Sequence, residues 1–145
     1  MTQGMDEPQH VLICGGTGRT GRILVRQLLA ESDFELTIVV RDTDKAQLLF
    51  GEELELAESR LNVVEGDLTD VRSWEHRLRG VSQVVTAVSC GLCTDPLVVL
   101  GVRSPPAASP SAVDSAGIAD LAAAAKAHEV RRMVAVTTAS ADSPW

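Results

Sequence analysis

Short apolar runs recur along the chain and are separated by segments in which apolar and polar residues mix. The runs are rich in β-branched residues, as is typical of strands that are buried on both faces of a parallel sheet. They predict five strands, at residues 10–14, 35–40, 61–65, 82–88 and 133–138.

The segments between the runs carry apolar residues at helical spacing. They predict a first helix over 21–30, a second over 44–59 with a break near Gly51, a third through 71–78 that Thr69 could cap, and an alanine-rich helix over 113–128. Strands and helices that alternate with short connections are typical of right-handed βαβ units. We therefore expect an α/β fold with a doubly wound parallel sheet of about five strands in the order 3-2-1-4-5, and a single domain over residues 1–145.

One connection interrupts this alternation. Residues 89–112, between the fourth strand and the alanine-rich helix, form a loop about twice the ordinary length, rich in Pro, Ser and Gly. It leaves the carboxyl end of a strand, where doubly wound sheets bind ligands, so it is either functional or a disordered insertion. Cys90 and Cys93 in this loop have CxxC spacing but no second ligand pair, so we interpret them as ordinary loop residues and predict no metal site.

Composition narrows the classes of function. The formal net charge of −7 argues against nucleic-acid binding, which normally requires a basic surface. No apolar run is long enough to cross a bilayer, and the first nine residues lack the pattern of a secretory signal. We therefore expect a cytoplasmic protein that interacts with neither nucleic acid nor membrane, and whose three cysteines are thiols.

A glycine-rich loop at residues 15–21 (GGTGRTG) lies between the first strand and the first helix. This context is typical of a dinucleotide-binding Rossmann fold, in which Gly15 permits the turn, Gly18 lets the backbone approach the pyrophosphate and Gly21 lets the helix pack closely on the strand. The helix N-terminus then attracts the anion. The loop residues predicted to bind the cofactor are Gly15, Thr17, Gly18, Arg19, Thr20 and Gly21. A glycine turn without a ligand is the structural alternative.

Arg41 follows the second strand, where a Rossmann protein contacts the adenosine ribose. An acidic residue there suits the free 2′-hydroxyl of NAD(H), whereas a guanidinium suits the 2′-phosphate of NADP(H). Arg41 therefore favours NADP(H), with Arg19 or Arg22 as helpers. Because Asp42 comes next, NAD(H) is the less favoured alternative. Arg41 could also be a solvated charge at a strand end with no role in binding.

The ends of the third and fourth strands supply further candidates. Asp67, in the Gly66-Asp67-Leu68 segment, is placed to bind an adenine edge, or to cap the helix that follows. Ala87, Val88 and Ser89 would line the nicotinamide side of the site, although Ser89 could be an ordinary loop hydroxyl.

These motifs together resemble those of a known family. The pattern Cys14-Gly15-x-x-Gly18-x-x-Gly21, the VVRD segment at 39–42, the GDL segment at 66–68 and the VAVTT segment at 134–138 occur in the order and spacing of the atypical short-chain dehydrogenase/reductases. Within them, the chain looks like the NmrA-like and flavin (biliverdin) reductase-like NAD(P)-binding proteins. The resemblance implies NADP(H) binding through Gly15 to Gly21 and Arg41, and, for reductase members, hydride transfer to a substrate above the nicotinamide. Asp67 and Leu68 are further candidates for cofactor binding.

The chain departs from the family in three ways. It has no tyrosine, so the Tyr-x-x-x-Lys mechanism of many short-chain dehydrogenases is excluded within it. Family members often carry a serine after the fifth strand, and the residue here is Thr138, with Ser140 as an alternative. Either hydroxyl could orient the substrate, or could be an ordinary polar group at the end of a strand. Members usually continue with a sixth strand and a substrate-covering segment, whereas this chain stops at Trp145. We therefore expect an exposed strand-five edge that a homodimer, another chain or a missing C-terminal segment would cover.

Two functions follow from this pattern. The first is an NADP(H)-binding, reductase-like domain that transfers hydride to a small oxidised acceptor, such as a flavin, quinone or carbonyl compound. The alternative is a non-catalytic NADP(H)-binding redox sensor or interaction module.

Overall fold

The computed structural model describes residues 8–57, 59–88 and 116–136. Its strands are β1 (His10–Cys14), β2 (Glu35–Val40), β3 (Leu61–Glu65), β4 (Gln83–Thr86) and β5 (Arg132–Ala135). Its helices are α1 (Arg19–Glu31), α2 (Thr43–Leu56) and α3 (Ile118–Ala127). Two 3-10 segments, Leu68–Ser73 and Glu75–Leu78, connect β3 to β4. The predicted loop over 89–112 lies outside the described residues.

The five strands form one parallel sheet in the order β3-β2-β1-β4-β5. This confirms the predicted α/β class and strand order. Because every strand runs in the same direction, the carboxyl ends of β1, β2, β3 and β4 meet at one edge of the sheet. That edge carries the glycine loop and the other predicted cofactor-binding residues that the structure describes.

Both faces of the sheet are covered, which explains why β1 is apolar throughout. Side chains alternate between faces along a strand. Leu12 and Cys14 pack in a core cluster with the 3-10 segments and α3, whereas Val11 and Ile13 pack in a second cluster with α1 and α2. No described helix is long and apolar enough to cross a membrane.

The connection between β3 and β4 corrects one prediction. The apolar spacing of Val71, Trp74 and Leu78 predicts a helix, with Thr69 or Asp67 as its cap. The structure has two 3-10 segments instead of an α-helix, and Asp67 is the cap. The Asp67 carbonyl accepts hydrogen bonds from Asp70 N and Trp74 Nε1 at 3.1 and 2.8 Å. In an α-helix, this carbonyl would instead accept a hydrogen bond from the main-chain N–H four residues later. Side-chain and i+3 bonds therefore compete successfully with the α-helical pattern.

α2 and the alanine-rich helix α3 follow the sequence closely. α2 breaks at Phe50, which has non-helical φ and ψ of −123° and 18°, one residue before the predicted break at Gly51. The described part of the alanine-rich helix spans Ile118–Ala127, within its predicted range.

Candidate dinucleotide-binding site

A cleft of about 310 Å³ opens at the carboxyl ends of β1, β2, β3 and β4. It brings together residues from four separate parts of the sequence. The predicted cofactor-binding residues that line it are Gly15, Thr17, Gly18, Arg19, Thr20, Arg41, Asp67, Leu68, Ala87 and Val88. Gly21 is buried beneath the loop, and Ser89 lies outside the described residues.

Gly15 makes the tight turn at the end of β1. Its φ is +82°, a conformation that strongly favours glycine, and a Cβ there would lie 2.8 Å from the carbonyl oxygen of Ala87. The Gly15 carbonyl accepts a hydrogen bond from the N–H of Gly18 at 3.1 Å. The turn therefore brings the loop against the end of β4.

Gly21 allows α1 to begin directly against this turn, since any Cβ at that position would overlap the Gly15 carbonyl oxygen. Gly18 is the N-cap of α1 and makes no side-chain capping bond, and the first turn of α1 contains no acidic residue. The positive end of the helix dipole thus lies beside the cleft without a carboxylate to neutralise it, which suits a phosphate group.

Three basic residues line the cleft, and one of them, Arg41, directly follows β2. Arg41 and Arg19 line the cleft, as predicted, and so does Lys45, which the sequence reasoning missed; Arg22 does not. Lys45 lies in the first turn of α2, four residues after Arg41. The feature of the sequence that could have identified Lys45 is the helix predicted to start shortly after Arg41. The first turn of such a helix lies close to the end of the preceding strand.

Asp42 has a structural role at the same end of β2. It is the N-cap of α2, and its Oδ1 accepts a hydrogen bond from the N–H of Lys45 at 3.0 Å. Asp42 is not among the cleft-lining residues. The carboxylate that could have suited the ribose of NAD(H) is therefore engaged by the backbone of α2.

Asp67 has the capping role that the sequence allowed, and it also lies in the cleft. Its Oδ1 accepts a hydrogen bond from Thr69 N at 2.9 Å. Leu68, which follows, is largely buried in the core cluster beneath the cleft.

Cys14, at the end of β1, is a buried residue that lines the cleft. Burial raises the pKa of its thiol to about 12. Since the thiolate is the nucleophilic form, this raised pKa disfavours a nucleophilic role for Cys14 at neutral pH. The predicted catalytic residues Thr138 and Ser140, together with Cys90 and Cys93, lie outside the described residues.

These features define a class of protein: a Rossmann-type domain with a cleft suited to a dinucleotide. The chain also matches the model of the NAD(P)H-binding family over residues 15–145, and it belongs to that family. The glycine turn, the open N-terminus of α1 and the basic rim are the groups that a phosphate-bearing dinucleotide requires.

Solved structures with the same fold include several short-chain dehydrogenase/reductases. One from Veillonella parvula, of the wide type and in complex with NADP, has a TM-score of 0.64 and 18% identity, over 92% of this chain and 49% of that chain. Yeast methylglyoxal/isovaleraldehyde reductase complexed with NADPH has a TM-score of 0.71 and 17% identity, over 90% of this chain and 37% of that chain.

A third similar structure is a short-chain dehydrogenase/reductase from Burkholderia vietnamiensis. It has a TM-score of 0.70 and 22% identity, over 96% of this chain and 69% of that chain. The chain thus spans less than half of the Veillonella and yeast proteins and about two thirds of the Burkholderia one. Identities this low bear on the fold, which all three share with this chain.

Proposed function

We propose that this chain is an NADP(H)-binding, reductase-like domain that passes hydride to a small oxidised acceptor. The observation that supports the proposal most strongly is the charge distribution in the cleft. Arg19, Arg41 and Lys45 line it, while Asp42, the carboxylate that follows Arg41, caps α2 and does not line the cleft. A 2′-phosphate adds negative charge where these cations lie, so NADP(H) is favoured over NAD(H).

In the proposed complex, the chain mainly binds and orients the cofactor. The glycine loop and the N-terminus of α1 hold the pyrophosphate, Arg41 and Lys45 hold the 2′-phosphate, and Asp67 binds the adenine edge. Ala87 and Val88 lie at the end of β4, on the nicotinamide side. When bound, the reduced nicotinamide supplies the hydride.

The reaction needs a proton as well as a hydride. For a carbonyl acceptor, hydride adds to carbon and a proton adds to oxygen, which produces an alcohol and NADP⁺. Because the chain has no tyrosine, we propose that the proton comes from solvent and that Thr138, or Ser140, orients the acceptor by a hydrogen bond.

A direct assay tests the enzymatic function. Purified protein is incubated with NADPH and, separately, with flavins, quinones and aldehydes, and cofactor oxidation is followed at 340 nm. We expect oxidation above the rate without protein for at least one acceptor class. Saturable NADPH binding without turnover on any of them would contradict the reductase function.

That contrary outcome would favour the second candidate, a non-catalytic NADP(H)-binding redox sensor or interaction module. The observation that supports it is the lack of tyrosine, the residue that serves as the general acid in many short-chain dehydrogenases. We also propose that the chain is similar to the NmrA-like and flavin (biliverdin) reductase-like proteins, and that it is located in the cytoplasm.

A further inference from the structure

Trp74 is buried directly beneath the part of the cleft that is proposed to bind adenine, and the proposed function assigns it no role. Its side chain is 2% exposed and belongs to the core cluster between the sheet and α3. Its indole nitrogen donates a hydrogen bond of 2.8 Å to the main-chain carbonyl of Asp67. This bond links the core to a residue that lines the cleft.

The indole ring also packs against Gly66. A Cβ at Gly66 would lie 2.7 Å from Trp74 Cδ1, so the ring and the backbone are in close contact. The other side of the same turn is tied to β2, because the N–H of Gly66 donates to the carbonyl of Val40 at 2.9 Å. The turn that carries Asp67 is therefore held from below by Trp74 and from the side by β2.

Both ends of Asp67 are held by hydrogen bonds. Its Oδ1 accepts one from Thr69 N, and its main-chain carbonyl accepts one from the Trp74 indole. We propose that Trp74 is a positioning residue for adenine recognition: it holds the Gly66-Asp67 backbone so that the carboxylate can accept a hydrogen bond from the 6-amino group. The inference rests on the proposed function, since it requires NADP(H) in this cleft.

The test compares two ligands that differ at the 6-amino group. Reduced nicotinamide hypoxanthine dinucleotide phosphate has a carbonyl oxygen where NADPH has the amino group, and its ring N1 carries a proton that adenine lacks. The wild-type protein is expected to bind NADPH about tenfold more tightly than this analogue, because a hydrogen bond to a charged acceptor is lost. Binding is measured by titration of the reduced nicotinamide fluorescence.

Trp74→Phe removes the indole N–H and retains an aromatic ring. We expect the preference for NADPH over the hypoxanthine analogue to fall to about threefold or less. Leu78→Val is the matched control: Leu78 is fully buried in the same cluster but does not line the cleft, so this variant should keep the wild-type ratio. Asp67→Ala should abolish the preference. A purely structural role for Trp74 would weaken both ligands equally and leave the ratio unchanged.

A second replacement at position 74 tests the same prediction in case the phenylalanine variant misfolds. The isosteric amino acid 3-benzothienylalanine at position 74 removes only the N–H group, and should lower the ratio in the same way. Retention of the wild-type ratio by either replacement, or an equal affinity of the wild type for both ligands, would overturn the role of Trp74 while leaving NADP(H) binding intact. If neither ligand bound the wild type, the proposed function itself would fail, and this inference with it.

Discussion

Arg41 and Asp42 are adjacent in sequence and have separate roles in the structure. Arg41 lines the cleft, whereas the Asp42 carboxylate accepts a hydrogen bond from the first turn of α2. The pair was ambiguous from the sequence, because an acid and a base at the end of the second strand favour different cofactors. The capping bond engages one oxygen of the Asp42 carboxylate, and Asp42 does not line the cleft, which supports our proposal that NADP(H) is the favoured cofactor.

Arg41→Ala is expected to weaken NADPH binding about ten- to a hundredfold and to leave NADH binding nearly unchanged, because only NADPH carries the 2′-phosphate. Lys45→Ala should have a smaller effect in the same direction, since an ammonium group binds phosphate as a point charge. Titration of both cofactors into each variant measures this.

Arg22→Ala serves as the control, because it removes the same charge from a residue that does not line the cleft. If Arg41→Ala retained the wild-type preference between NADPH and NADH, the assignment of Arg41 would be wrong.

At the scale of secondary-structure elements, Arg26 joins α1 to the kinked part of α2. Its Nε donates to Glu53 Oε1 at 2.5 Å, its Nη2 donates to the Leu49 carbonyl at 2.9 Å, and its guanidinium lies 5.8 Å from the centre of the Phe50 ring. Burial would raise the pKa of Glu53, but the hydrogen bond and the charge of Arg26 outweigh it and hold the pKa below its ordinary value of 4.5. The ionised pair therefore stabilises the packing of α2 on α1.

Glu53→Gln should lower the free energy of unfolding at pH 7 by about 0.5 to 1 kcal/mol, a small effect because Arg26 is 53% exposed to solvent. A carboxyl whose pKa is lowered by folding contributes stability above its unfolded-state pKa and loses it as pH falls through the folded-state pKa. The difference between variant and wild type should therefore be full at pH 7 and disappear well below pH 4.5.

Urea denaturation at a series of pH values measures this difference. Glu52→Gln is the matched control, since Glu52 is the exposed neighbour and its substitution changes the net charge equally. Equal stability losses for the two variants would contradict a specific role for the Arg26–Glu53 pair.

At the scale of the whole molecule, β5 is the last strand of the described sheet. It pairs with β4 on one side, and within the described residues its other edge has no neighbouring strand. Val134 and Val136 are 43% and 46% exposed, on the same face as Val85 of β4. An unpaired edge with exposed apolar side chains favours association with another strand. We therefore propose that β5 pairs with a second copy of the chain or with a further segment.

Val134→Lys is expected to reduce self-association of this chain, because a charged side chain on an edge strand disfavours strand pairing. Light scattering coupled to size-exclusion chromatography over a range of protein concentrations would show a lower average mass for the variant. Leu48→Lys, which places the same charge on the exposed face of α2, should leave the wild-type behaviour unchanged. Equal effects of the two substitutions would indicate a general effect of charge on solubility.

Several features of the fold could be predicted from local patterns alone. The bounds of β1, β2 and β3 follow from apolar runs that end at turn residues, and the break in α2 lies one residue from the predicted position. The glycine loop is equally local, because the turn at Gly15 and the close approach at Gly21 each depend on a missing Cβ within seven residues of sequence.

The tertiary structure decided the features that depend on contacts between distant residues. Lys45 joined the cleft because α2 begins at the strand end beside Arg41, and the helix predicted through Trp74 became two 3-10 segments because the indole bonds to the Asp67 carbonyl. Apolar periodicity reports which face of a segment is buried, but it carries no information about which donor a particular carbonyl will find. The sequence by itself therefore determined the order of strands and helices and the phosphate loop, while packing determined which side chains surround the rest of the cofactor cleft.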